Sequence, residues 1–96
     1  MKLTKKLLVK NRLGLHTRPA TTIVKLVQNC KSDVAFTCRK ETVNAKSILS
    51  ILMLAAKKSS RITVTVDGED AELIMEKLVF AFENEFGEGL HESQTF

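Results

Sequence analysis

The sequence predicts an α+β fold, an open-faced β-sandwich whose four-stranded antiparallel sheet carries three helices on one face, in the order β-α-β-β-α-β-α. Three observations lead there. Short segments with two-residue alternation are separated by segments whose apolar residues recur at three and four. The strands have one apolar face each and the helices one apolar stripe, a combination that buries its apolar surface by laying helices on a sheet. Finally, 96 residues, 44% hydrophobic and 27% charged, suit one ordinary globular domain with a single modest core.

Each element has its own justification. Leu3, Lys5, Leu7 and Val9 alternate with Thr4, Lys6 and Leu8, giving a strand over residues 2–9. A polar loop over 10–16 leads to a helix that Pro19 opens, since proline lacks a backbone donor and its fixed φ suits a first helical turn. Its stripe is Ala20, Ile23, Val24, Val27 and Cys30, so this helix ends near Cys30. Val34, Phe36 and Cys38 mark a strand over 33–38, and a tight connection through Arg39, Lys40 and Glu41 leads to a short strand at 42–44. With no glycine in that connection, either the turn avoids positive φ or Lys40 tolerates strain. Ser47 begins a helix whose apolar residues, Ile48 to Leu54, run nearly all the way round, so one side of it offers a docking surface. Ile62, Val64 and Val66 form the clearest strand, broken by Asp67-Gly68. Asp70 caps a final helix over 71–86 with the stripe Ala71, Ile74, Met75, Leu78, Ala81 and Phe82, while Leu73 and Phe80 lie off it. Gly87 stops this helix, dividing a 1–86 domain from a loosely held tail over 87–96.

Composition excludes several function classes. No segment is long and apolar enough to span a bilayer, and the lysines interleaved through the first ten residues leave no signal-peptide block; a cytoplasmic protein without membrane insertion is expected. Cys30 and Cys38 form no CxxC pair, and neither they nor His16 and His91 show metal-ligand spacing, so no metal or cofactor is expected and both thiols are read as reduced and mostly buried. The net charge of +4 is spread along the chain, and with five Phe, no Trp and no Tyr the stacking platforms of a nucleic-acid binder are poorly supplied. A mild basic field of this kind favours docking to acidic protein surfaces.

The candidate chemistry lies in Gly14-Leu15-His16-Thr17-Arg18-Pro19-Ala20. A helix start leaves backbone N–H groups unpaired and carries a partial positive charge, which stabilises an anion such as phosphate. His16 stands at that mouth as a titratable nucleophile, and Arg18 supplies a permanent guanidinium suited to phosphate oxygens. Spacing alone leaves a second reading open, in which His16 or Thr17 merely caps a surface helix and Arg18 is a solvated charge.

GLHTRPA after a first strand, with Val43-Asn44-Ala45-Lys46-Ser47-Ile48 following and Ser47 thirty-one positions beyond the histidine, resembles the histidine-containing phosphocarrier (HPr) family of the bacterial phosphotransferase system. The resemblance spans residues 1 to about 86 and implies the HPr-like form of the fold above. It implies that His16 accepts a phosphoryl group on Nδ1 from phosphoenolpyruvate-charged enzyme I and passes it to enzyme IIA domains of sugar permeases. Arg18 and the backbone N–H groups of Thr17 and Arg18 would bind the phosphoryl oxygens. The chain is then a carrier and co-substrate rather than an enzyme, and a monomer. Ser47 matches the serine that an HPr kinase/phosphorylase modifies in some members; a plain helix-capping role is equally open to it. Ile48, Leu49 and Leu52 match the family's docking positions, against the plainer reading of ordinary core. The alternative function is a regulatory paralogue that acts through Ser47-dependent binding to kinase or transcriptional partners. Lys40 and Ala55 stand where the family usually has glycine, which bears on the turns alone.

Overall fold

The computed structural model describes residues 1–88. Its elements are β1 (Lys2–Leu8), α1 (Thr17–Val27), β2 (Asp33–Cys38), β3 (Glu41–Asn44), α2 (Ile48–Met53), β4 (Arg61–Asp67) and α3 (Ala71–Glu83), followed by a 3-10 turn at Glu85–Gly87. The strands form one sheet in the order β1-β4-β2-β3 with every pairing antiparallel, as the alternation predicts. Placing β4 centrally explains why its sequence is the clearest strand: Ile62, Val64 and Val66 are all fully buried on the helix side, and β2 answers with Val34, Phe36 and Cys38. The three helices cover that one face. Val34 pairs with Val66 and Phe36 with Val64 across the two central strands, and Phe36 meets Phe82 of α3 edge to face at 5.8 Å.

The stripe of α3 is buried in full, from Ala71 through Phe82, while Leu73 and Phe80 point outward. Both long helices are shorter than their apolar rhythm. α1 stops at Val27, yet Cys30 still packs against the core, half-buried, its thiol near the Ser32 carbonyl. α3 stops at Glu83, where the Asn84 side chain takes the Phe80 carbonyl at 2.8 Å. Glu85 and Phe86, both at φ 53°, and Gly87 at φ 84° then turn the chain back in the left-handed region. Phe86 folds onto Phe82 with ring centroids 4.9 Å apart, which holds this hook against the core. Glu88, within the expected tail over 87–96, is buried just past this hook. The rest of that tail, with His91, lies outside the described residues.

Two turn questions resolve. Two residues, Arg39 and Lys40, link β2 to β3, and both take positive φ, 49° and 70°, as a type I′ hairpin requires; Cys38 faces Glu41 across it. The strain is accepted at both positions, and the Arg39 guanidinium anchors the turn by donating to the Leu54 carbonyl at 3.1 Å. Ala55, just past α2, also sits at positive φ, 50°. Because an L side chain is disfavoured there, Lys40→Gly and Ala55→Gly should each raise stability by about 0.5–1 kcal/mol, seen as a higher urea midpoint at unchanged m-value.

Asp70 precedes α3 but makes no side-chain cap. Its carboxylate instead accepts from the Ser32 hydroxyl and the Lys31 amide, tying the start of α3 to the loop before β2. These two donors, the hydroxyl first, hold its pKa below the ordinary value of 3.8. A depressed folded-state pKa contributes stability above the unfolded value and loses it as pH falls through the folded one. Acidification from about pH 5 to 2 should therefore lower the urea midpoint more steeply in the wild type than in Asp70→Asn.

Candidate functional site

The loop from β1 to α1 is fixed at both ends. Val9 exchanges backbone hydrogen bonds with Ser59 and Ser60 at 2.7 and 2.9 Å. The Gly14 amide closes a turn on the Asn11 carbonyl at 3.0 Å, and the Leu15 amide donates to the Ala56 carbonyl at 2.9 Å while its side chain is buried. Gly14 lies at φ 70°, and a Cβ there would stand 2.2 Å from the Ala56 oxygen, so this approach needs glycine twice over. The consequence is that His16 arrives at the helix mouth in a set orientation, with extended backbone (φ −80°, ψ −167°).

His16 is the N-cap residue of α1. Its carbonyl accepts from the Ala20 amide at 3.0 Å, but its imidazole makes no cap hydrogen bond and is left for other chemistry. Thr17 and Arg18 are the first two helical residues, whose amides have no partner within an α-helix. Thr21 and Thr22 return their hydroxyls to the Thr17 and Arg18 carbonyls at 2.8 and 3.3 Å, leaving the opposite, amide side of the first turn unobstructed by them. The Arg18 guanidinium is 64% exposed.

The imidazole has a partner from the far end of the chain. His16 Nε2 lies 2.8 Å from Glu88 Oε2, and the nearest Arg18 nitrogen lies 3.9 Å from the same oxygen. The other Glu88 oxygen accepts from Asn11 Nδ2, which also donates to the Glu85 carbonyl at 2.8 Å. Asn11 is 1% exposed, and its Oδ1 meets no hydrogen-bond partner among the described residues. A buried amide thus braces the hook that presents Glu88 to His16.

His16, Thr17 and Arg18, the expected site residues, line one open cleft of about 620 Å³ with Leu13, Lys25 and Glu88 among its walls. Ser47 and the α2 residues are not part of that lining. Ser47 caps α2, its hydroxyl accepting from the Ser50 amide at 3.2 Å. Of the expected docking residues, Ile48 and Leu49 are exposed and Leu52 is half-buried against the core; Met53, at 70%, is more exposed than any of them. Sequence reasoning missed Asn11, Lys25 and Glu88. Lys25 was visible in principle, since it lies seven residues, two helical turns, after Arg18. Glu88 carried no signal, being one acidic residue between two glycines.

The family pattern described as "PTS HPr component phosphorylation site" matches residues 3–84. The chain belongs to the HPr family. A phosphocarrier protein HPr of Chlamydia pneumoniae is 47% identical over 81 residues, covering 84% of this chain and 75% of that one. The HPr-C-His structure from Thermoanaerobacter tengcongensis superposes with a TM-score of 0.85 at 30% identity, covering 88% of this chain and 96% of that one. An HPr from Bacillus anthracis gives 0.80 at 36% identity, over 84% and 96%. His16, Arg18 and Ser47 all lie within the residues that the HPr pattern matches, whereas Glu88 lies beyond them.

The dependence of the HPr site on Gly14 is open to measurement. Gly14→Ala combines a disfavoured φ with a backbone clash, so a loss of about 2–4 kcal/mol in urea unfolding is expected, together with large amide shifts at Leu15, His16 and Ala56 in NMR spectra.

Proposed function

We propose that this HPr-family chain carries a phosphoryl group on His16, receiving it from phosphoenolpyruvate-charged enzyme I and delivering it to enzyme IIA domains of sugar permeases, as a cytoplasmic monomer. The observation that carries the proposal is the imidazole at the mouth of α1, free of capping duty, beside the exposed Arg18 guanidinium. Neutral imidazole is nucleophilic near neutral pH, and the phosphoramidate it forms is labile enough to be passed on. Arg18, Lys25 and the amides of Thr17 and Arg18 supply positive potential where phosphoryl oxygens collect charge during transfer. Little covalent chemistry is asked of the chain, which serves as co-substrate to the enzymes on either side.

Ile48, Leu49 and Leu52 dock those partners in this reading, and Met53 widens the apolar surface. The net charge of +4 suits acidic partner faces. Ser47 gives the carrier a brake. A phosphate on its hydroxyl would take over the cap and gain from the helix start, while its charge of about −2 would repel acidic partners. The capping bond to Ser50 supports the structural role as well, and one hydroxyl can serve both. A protein acting through Ser47 alone would have no use for the arrangement around His16, which favours the carrier over the purely regulatory paralogue.

Incubation with enzyme I and labelled phosphoenolpyruvate should yield an acid-labile, alkali-stable phosphoprotein, with no label on His16→Ala. Ser47→Asp should slow labelling by roughly ten-fold through charge repulsion at the docking face. Label that persists in His16→Ala would sink the proposal.

A further inference from the structure

We propose that Glu88 is a positioning residue for His16: its carboxylate holds the imidazole as the Nε2–H tautomer and thereby dedicates Nδ1 to the phosphoryl group. The proposal rests on the carrier reading above and deepens it. An ionised carboxylate can only accept hydrogen bonds, so with Glu88 Oε2 at 2.8 Å the proton of a neutral imidazole sits on Nε2 and the lone pair on Nδ1. Glu88 is itself aimed. One oxygen is taken by Asn11 Nδ2, the left-handed turn through Glu85, Phe86 and Gly87 sets its direction, and the Phe86 ring locks that turn onto Phe82. The side chain is only 11% exposed, which keeps its hydrogen bonds from exchanging freely with water.

The arrangement also suits the step. When a phosphoryl group arrives, the Nδ1 lone pair forms the N–P bond, and the bond from phosphorus to the donor breaks, its electrons leaving with the donor. The ring becomes cationic, and the Nε2–H that shares this charge faces the Glu88 carboxylate, so no proton has to move. On delivery the N–P electrons return to Nδ1, and the leaving group is neutral Nε2–H imidazole rather than an imidazolate anion. Nδ1 and Nε2 lie on different edges of the ring. Glu88 can therefore balance the ring charge without standing where the phosphoryl group binds, and Arg18, 3.9 Å from the carboxylate, moderates repulsion between the two anions.

The test uses the full chain with Glu88→Ala and Glu88→Gln, each first checked by its amide spectrum for a native sheet. Nitrogen NMR of the unphosphorylated His16 ring near neutral pH should show the Nε2–H tautomer alone in the wild type and a share of the Nδ1–H form in Glu88→Ala. Phosphotransfer from enzyme I should lose roughly ten-fold in kcat at little change in KM, the low end of what removing the partner of a functional imidazole costs. Glu88→Gln should fall between, because an amide offers one acceptor oxygen where the carboxylate offers two, to Asn11 and to His16. Wild-type tautomer and wild-type kcat in Glu88→Ala would overturn the proposal while leaving the carrier reading intact. A wild-type chain that takes no label from enzyme I would overturn both.

Discussion

A sheet with one apolar face obliges every helix to lie on that face, and most of what is distinctive in this molecule follows from the crowding that results. Phe36, Val64 and Val66 at the centre of the sheet must be covered by α1 and α3 together, while α2 shields the β3 side. With three helices over four strands, the connections are squeezed to the rim. There the β1–α1 loop is pressed against the end of α2, close enough that only Gly14 fits beside Ala56. The helix mouth bearing His16 is set by this packing together with the local turn from Asn11 to Gly14.

That origin separates what could be read in the chain from what could not. β2 was legible to the residue, and β4 to within one residue at each end, because alternation on a half-buried surface is a strong local signal. The stripe of α3 was legible too. Its end was not, because Phe86 lies four residues after Phe82 and satisfies the helical period, yet reaches the core through a left-handed turn. The same confusion lengthened α1 to Cys30, which packs against the core after the helix has ended. Periodicity reports contact with the core, and a chain can keep that contact after leaving the helix. At Asp70 the misreading had another cause: a carboxylate before a helix is an ordinary cap, and only the fold brings Ser32 close enough to claim it.

The site divides along the same line. His16, Thr17 and Arg18 are neighbours in sequence, so their meeting at the start of α1 needs only the helix. The basic and apolar partners of that cleft are placed by helix spacing and by the loop. Glu88 and Asn11 meet across a separation of 77 residues, and nothing in either segment announces the other. What resemblance pointed to was His16; what it did not point to was Glu88, whose carboxylate meets the imidazole from past the end of the matched region.

The hook at the C-terminal end of α3 bears on how the molecule comes into being. Synthesis runs from the N-terminal to the C-terminal side, so the four strands and the histidine are made before Glu88. Glu88 follows every strand and α1 in the order of synthesis, which separates the making of the histidine from the making of the carboxylate that faces it.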